Sequence, residues 1–203
     1  MASSTRKSIV PYGLWPSAIA AADVARGTRR FGLVQGDGAH VYWTEGRPEE
    51  KGRQTLLRAR PGARTPEELI AAPWSARSRV HEYGGGEFLA AGEQVYFVND
   101  ADQDIYVLQP GGVPQRLTRA PDTRFADFAI DATRSRLIAV AERKVEGREQ
   151  PDNLLVAVAI AGPRAGAVTG TAAQVFHITT DFTVTQNNVS KAVQATVSPR
   201  NFP

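Results

Sequence analysis

The chain has 203 residues, of which 42% are hydrophobic and 22% are charged, as in folded globular proteins. Its net charge is only +3 and its basic and acidic residues are interleaved, which argues against a nucleic-acid partner. Cysteine is absent, which excludes disulfides, thiolate catalysis and cysteine-based zinc sites.

The first 30 residues predict an N-terminal extension with one short helix. Met1–Val10 lacks the unbroken apolar core of a signal peptide. The helix-period pattern runs over Pro16–Arg26, with Ser17 as the expected N-cap. No apolar run in the sequence approaches the ~20 residues that span a bilayer. We therefore expect a cytoplasmic protein with no membrane partner.

From Phe31 onward the sequence predicts short strands, rich in β-branched and aromatic residues and separated by Gly, Pro, Asp and Asn. The clearest are Val41–Thr44, Thr55–Arg58, Val95–Val98, Ile105–Leu108, Leu137–Val140 and Leu154–Val158. With one helix candidate beside six strands, the predicted fold class is all-β.

The strands recur in groups. Corresponding strands begin near Leu56, Ile105 and Leu154, at intervals of 49 residues. Four strands in a repeat of roughly 40–50 residues are typical of a β-propeller blade. We therefore predict a partial β-propeller of about three four-stranded blades over residues 31–164. An ordinary β-sandwich is the alternative, since its strands also follow at short intervals.

The composition changes after residue 164. The segment 165–203 is rich in threonine, and its charged residues are Asp181, Lys191 and Arg200. We expect an atypical, partly disordered tail. Within it, Gln174–Ile178 is a candidate for the outer strand of the third blade.

Three adjacent glycines follow a His-Glu-Tyr cluster in the second repeat. We predict that Gly84–Gly86 are structural glycines in an inner strand, where crowding leaves no room for Cβ atoms or a bulge demands positive φ. Ahead of them, Arg79, His81, Glu82 and Tyr83 are candidates for contacting a substrate or another domain.

The same segment fails each test for a complete catalytic or cofactor site. None of the serines has the flanking glycines of a nucleophile elbow. Residue 85 is Gly where a zinc protease motif needs a second histidine, and Leu89 breaks a dinucleotide-binding glycine pattern. We therefore predict no catalytic residue, no metal and no cofactor.

Alternating carboxylates at Asp100, Asp102 and Asp104 permit two interpretations. They resemble the start of a calcium-binding loop, but the glycine at the sixth position and the distal Glu are missing. We favour a solvated acidic turn between two strands.

Several motifs of the sequence belong together: Tyr12–Ser17, Val41–Pro48 and Arg79–Gly86, supported by Asn99–Tyr106 and Arg124–Phe128. Taken together, they resemble the N-terminal propeller of prolyl-oligopeptidase-family serine peptidases. The similarity is to bacterial members of the dipeptidyl aminopeptidase/acylaminoacyl-peptidase type, and it covers about residues 12–160.

The resemblance implies a function that the chain shares with a second domain. In that family a propeller precedes an α/β-hydrolase domain with a Ser-Asp-His triad, restricts access to it and contacts short peptides. No hydrolase domain follows in this sequence. We therefore expect the noncatalytic propeller portion of such a peptidase, with a truncated or frame-shifted reading frame as its origin, and whether the chain is itself an enzyme stays open.

Two alternatives remain at this stage. The first is a stand-alone β-propeller for binding or scaffolding, which completes its ring by forming an oligomer. The second is a propeller lactonase or sugar enzyme, which requires a metal held by carboxylates, Asn and His.

Overall fold

The computed structural model describes residues 9–14, 17–25, 27–171, 178–186 and 189–197. Three antiparallel sheets of four strands each account for most of them. Sheet 1 consists of β1 (Arg30–Gly36), β2 (Val41–Arg47), β3 (Arg53–Ala59) and β4 (Glu67–Glu68). Sheet 2 consists of β5 (Phe88–Ala91), β6 (Gln94–Val98), β7 (Ile105–Leu108) and β8 (Gln115–Arg116). Sheet 3 consists of β9 (Thr123–Asp131), β10 (Arg136–Arg143), β11 (Asp152–Ala159) and β12 (Val168–Thr171).

The α-helix of the described residues, α1, spans only Ala21–Ala25. It is shorter than the sequence pattern, and the predicted N-cap Ser17 lies four residues ahead of it, where its Oγ accepts a hydrogen bond from the Ile19 backbone N–H at 3.0 Å. Two 3-10 turns, Pro48–Glu50 and Ala132–Arg134, follow β2 and β9. No helix in the described part of the chain combines the length and hydrophobicity needed to cross a membrane.

The prediction of a nearly all-β chain with four-stranded units is confirmed. In each sheet the strands pair with their neighbours in sequence order, so each sheet is an antiparallel meander. All six strands that the sequence marks most clearly lie inside strands of these sheets. Contacts also run from β1 to β5 and from β5 to β9, so the first strands of successive sheets are neighbours. This arrangement is consistent with a partial propeller-like fold.

Sheet 2 lies between the other two and is buried on both faces. Along β6, Val95 and Phe97 pack with Leu56 of sheet 1. The alternate residue Tyr96 packs with Leu137 of sheet 3. Because successive side chains of a strand point to opposite faces, one apolar run supplies both cores. Sheet 1 also buries Thr55 and Leu57, which alternate with Leu56 along β3 and point to its other face.

The fourth strand of sheet 3 is β12, which pairs with β11. This strand precedes Gln174–Ile178, the segment that the sequence offered as a candidate for the outer strand of the third blade. Residues 174–177 of that segment lie outside the described residues. Ile178 begins β13 (Ile178–Gln186), which pairs with β14 (Val189–Val197) in a separate two-stranded sheet.

The meander places its connections alternately at two ends of the sheets. The β2–β3, β4–β5, β6–β7, β8–β9 and β10–β11 connections lie at one end, which we call the Arg79 end. The other connections form the opposite end. Several turns at the opposite end contain a glycine with positive φ. A Cβ atom added at any of these glycines would have no other atom within 4 Å; the glycines are Gly62, Gly92, Gly111 and Gly162.

Candidate functional site

Residues 79–86 form a turn that leads into β5, so the prediction of an inner strand for this segment is wrong. Backbone bonds close the turn: the Glu82 N–H donates to the Arg79 carbonyl at 3.0 Å and the Gly84 N–H to the Val80 carbonyl at 2.9 Å. His81 and Glu82 have φ values of 53° and 61°. Two consecutive non-glycine residues in the left-handed region are uncommon and need support from their surroundings.

Sheet 3 supplies that support through Arg124 and Glu142. The Glu142 carboxylate accepts a hydrogen bond from the His81 backbone N–H. The Arg124 guanidinium donates to the Arg79 carbonyl at 2.9 Å and to the carboxylates of Glu82 and Glu142. Arg124 therefore holds both the turn of residues 79–83 and the Glu142 carboxylate that supports this turn.

The β6–β7 connection supports the other side of the turn. The Gln103 amide oxygen accepts from the Arg79 N–H at 2.7 Å, while its amide nitrogen donates to the Arg77 and Asp100 carbonyls. The Arg79 side chain pairs with the Asp100 carboxylate at 2.9 Å. The 79–83 turn is thus held from two sheets at once.

The three glycines allow this segment to approach β9 closely. Gly84 has φ +85°, a conformation that side chains disfavour. A Cβ atom on Gly85 would lie 2.7 Å from the Ala126 Cβ. The Gly86 N–H donates to the Asp127 carboxylate at 2.6 Å, and the Asp127 N–H donates back to the Gly86 carbonyl at 2.8 Å.

The turn borders a cleft of about 660 Å³ at the Arg79 end, between the connections of sheets 2 and 3. That volume is in the range of small-molecule sites. Of the candidate residues, Arg79 and Glu82 line the cleft. Its other charged lining residues are Asp100, Asp102, Arg116, Asp122, Arg124, Glu142, Lys144, Arg148 and Glu149.

His81 and Tyr83 are not among the residues that line the cleft. The His81 side chain is half-exposed, with its Nδ1 3.5 Å from the Glu142 carboxylate. Tyr83 is 97% exposed at the tip of the turn. The structure therefore brings Arg79 and Glu82 together in one cleft and presents Tyr83 to the solvent.

The cleft holds charges of both signs, most of them paired. The hydrogen bond from Arg124, and then its charge, lower the pKa of Glu82 below its ordinary value, so Glu82 is ionised at neutral pH. Its Oε1 contacts Arg124, and its side chain is 76% exposed. A cleft of this kind suits a ligand that carries both a cationic and an anionic group.

The predicted solvated acidic turn is wrong for Asp104, which is fully buried. Its carboxylate accepts hydrogen bonds from the Ala120 N–H at 3.0 Å, from the Thr118 hydroxyl and from the Arg116 guanidinium. Asp102 accepts from the Tyr106 hydroxyl at 2.7 Å. Burial first, and this hydrogen bond second, raise the pKa of Tyr106 to about 12. These carboxylates anchor the β6–β7 connection.

The Ser78 hydroxyl is buried and donates to the Phe125 carbonyl at 2.7 Å. In the described ranges no serine hydrogen-bonds a histidine, and no group of three or more metal-ligating side chains comes together. The arrangement can bind and orient a charged ligand.

Sequence reasoning missed three residues that shape the cleft: Gln103, Arg124 and Glu142. Gln103 and Arg124 belong to segments that support the family resemblance, which was a signal of their importance but not of their contacts. Glu142 ends an apolar strand and no pattern singles it out. Its role follows from the pairing of β9 with β10, which places it opposite Arg124.

Comparison with solved structures relates this chain to a peptidase. Over 81% of its length the chain is similar to a Mycobacterium tuberculosis puromycin-hydrolyzing peptidase, with 36% sequence identity and a TM-score of 0.70. The match covers 27% of that peptidase chain, so the present chain spans about a quarter of the length of its structural neighbour. No family model matches the sequence, and no curated protein matches it.

The sheet topology and the similarity to this peptidase together define a nearly all-β, peptidase-related domain. At the level of peptidases in general, this structural similarity agrees with the sequence resemblance to prolyl-oligopeptidase-family peptidases.

Proposed function

We propose that this chain is the noncatalytic propeller portion of a prolyl-oligopeptidase-like serine peptidase. In this role it contacts short peptides at the Arg79 end and restricts their access to a hydrolase domain. The observation that carries the proposal is the cleft in which Arg79 and Glu82 meet. The similarity to a peptidase at 36% identity supports it independently.

The charges of the cleft suggest how a peptide is held. One oxygen of Glu82 contacts Arg124, and the exposed side chain leaves the carboxylate accessible to the amino terminus of a peptide. Arg79 is half-exposed and paired with Asp100, and it lies where a peptide carboxylate can share its guanidinium. Arg124 and Gln103 hold both residues in place.

A hybrid protein tests the peptidase assignment. The matching residues of this chain would replace the corresponding 27% of the puromycin-hydrolyzing peptidase. We expect the hybrid to keep puromycin hydrolysis, while the 203-residue chain alone shows no turnover of chromogenic dipeptide or acyl-amino-acid substrates. A folded hybrid without activity, or turnover by the chain alone, would contradict the proposal.

A binding measurement tests the cleft itself. Isothermal titration of the chain with free and N-acetylated dipeptides compares Glu82→Gln with Glu93→Gln, a matched exposed control in the β5–β6 turn at the opposite end. Because an exposed ion pair contributes up to ~1 kcal/mol, we expect Glu82→Gln to weaken binding of the free peptide by roughly two- to fivefold. Equal losses for free and acetylated peptides, or for both variants, would count against an amine contact at Glu82.

A further inference from the structure

The charged side chains of the cleft at the Arg79 end fall into two groups, those that are already paired and those that are not. Four cationic side chains form ion pairs with carboxylates: Arg79, Arg116, Arg124 and Arg148. In the part of the chain that the structure describes, three other charged groups of the cleft have neither an ion pair nor a side-chain hydrogen bond: Asp122, Lys144 and Glu149. A ligand can pair with these three groups without breaking an existing contact.

The charge of the cleft is opposite in sign to that of the whole chain. Six carboxylates and five cationic side chains line the cleft, whereas the chain has a net charge of +3. Among the unpaired groups the charge of Glu149 offsets that of Lys144, which leaves Asp122 as the carboxylate in excess. A local excess of one sign raises the local concentration of ligands that carry the opposite sign. The cleft therefore favours a ligand with a cationic group in addition to the one that Glu82 receives.

Asp122 lies on the same wall of the cleft as Arg124. The Lys144 backbone N–H donates to the Asp122 carbonyl at 2.8 Å, which extends the pairing of β9 with β10 by one position. Residues two positions apart in a strand point to the same face, and they lie roughly 7 Å apart along the chain. Arg124 contacts the Glu82 carboxylate. Glu82 and Asp122 therefore face the cleft from neighbouring positions along this wall.

We propose that Asp122 selects peptides whose amino-terminal residue is lysine or arginine. Glu82 pairs with the α-amino group of such a peptide, and Asp122 pairs with the ammonium or guanidinium group of its first side chain. A basic amino-terminal residue carries its two positive charges at opposite ends, as two carboxylates at separate positions of one wall require. This inference rests on the proposed function and adds the class of substrate to it.

Isothermal titration of the full chain with three dipeptides tests the selection. They are lysyl-alanine, norleucyl-alanine, which has an unbranched first side chain without a charge, and glutamyl-alanine. Because an exposed ion pair contributes up to ~1 kcal/mol, we expect lysyl-alanine to bind roughly two- to fivefold more tightly than norleucyl-alanine. Glutamyl-alanine should bind most weakly of the three, because its side chain meets the carboxylate in excess.

Variants assign the selection to one carboxylate. Asp122→Asn should lower the affinity for lysyl-alanine to that for norleucyl-alanine, and Asp122→Lys should prefer glutamyl-alanine to lysyl-alanine. Glu82→Gln should weaken the binding of all three dipeptides by similar factors, since each has the same α-amino group. Glu146→Gln is the matched control, because this exposed residue belongs to the β10–β11 connection but does not line the cleft. It should keep the wild-type preference, and near-UV circular dichroism establishes that each variant is folded.

The outcomes that overturn this inference differ in what they mean for the proposed function. Equal affinities of the wild-type chain for lysyl-alanine and norleucyl-alanine, or a preference for lysyl-alanine that persists in Asp122→Asn, overturn the substrate class alone. Binding that depends on Glu82 would then still support the contact with short peptides. If none of the three dipeptides binds, the proposed peptide contact is wrong and the selection by Asp122 is wrong with it.

Discussion

Arg53 joins the middle of sheet 1 to the segment that leads into sheet 2. Its guanidinium donates to the Ile70 and Trp74 carbonyls at 3.0 and 3.1 Å, and it pairs with Glu68 at 2.7 Å and with Glu50. The side chain is 9% exposed. Planar guanidinium groups suit such a site because they reach several acceptors at once.

Replacing Arg53, and Arg58 for comparison, therefore shows how much more a buried ion pair contributes to the free energy of unfolding than an exposed one. Arg53→Met removes a donor from two carbonyls and from the carboxylates of Glu50 and Glu68, and we expect a loss of about 3 kcal/mol in the free energy of unfolding. Arg58→Met removes a pair with the exposed Glu67 and should cost less than about 1 kcal/mol. Urea denaturation of both variants measures the difference, and equal losses would show that Arg53 is not a structural anchor.

Gly85 permits the close contact between the 79–83 turn and β9. A methyl group there would lie 2.7 Å from the Ala126 Cβ and 2.9 Å from the Asp127 carboxylate. We expect Gly85→Ala to destabilise the fold by about 1–3 kcal/mol through overpacking. Gly46→Ala is the control, because its nearest atom would be 3.7 Å away. Thermal unfolding of the two variants decides the matter, and a neutral Gly85→Ala would argue against tight packing here.

At the scale of the strands, burial predicts where the structure opens last. The four residues Val95–Val98 of β6 are all buried, whereas every residue of β1 is at least partly exposed. Local opening is easiest where few apolar contacts are lost. We expect the amides of β6 to exchange with solvent at least roughly tenfold more slowly than those of β1. Hydrogen exchange read by NMR tests this, and equal protection would mean that the sheets open together.

The strands could be predicted from the sequence because their signal is local. Val95–Val98 and Leu154–Val158 are apolar runs between turn residues, and both lie in strands. The two-residue strand β4 carries no such signal, since its residues are polar and exposed. It pairs because β3 offers it an edge, which is a property of the assembled sheet.

The cleft could be predicted only in part, because its contacts join residues far apart in the sequence. Arg79 and Glu82 were recognisable from their place beside three glycines. The contact of Glu82 with Arg124 spans 42 positions, and that of His81 with Glu142 spans 61. Asp104 looked solvated because its partners, the buried Thr118 and the partly buried Ala120, follow a later strand.

Over the whole molecule, folding lowers the pKa of several carboxyl groups. Hydrogen bonds from the His40 and Ala39 N–H groups and from the Tyr42 hydroxyl lower the pKa of Asp37 to about 2. Hydrogen bonds from Arg53, and then from Arg47, lower the pKa of Glu50 to about 2. The pKa values of Glu49, Glu68 and Asp131 are also lowered. In the unfolded chain these groups return to ordinary values near 4.

The molecule should therefore lose stability in acid. A carboxyl group with a depressed folded-state pKa stabilises the fold above its unfolded pKa, and this contribution is lost as the pH falls toward the folded value. We expect the urea midpoint to be steady from pH 7 to about pH 5 and to decline between about pH 4.5 and 2. Asp37→Asn, which keeps an acceptor oxygen but no charge, should reduce that decline. A midpoint that is independent of pH over this range would contradict the expectation.

The two ends of the sheets differ in how freely the chain can be lengthened. The β4–β5 and β6–β7 connections at the Arg79 end are bonded across sheets through Arg124, Gln103 and Glu142, so an added residue there would displace the cleft. At the opposite end, the turn at Gly111 is surrounded by open space. Doubling the length of a flexible loop costs only about 0.6 kcal/mol. An affinity tag or a fluorescent label placed after Gly111 would therefore leave the cleft in its native geometry.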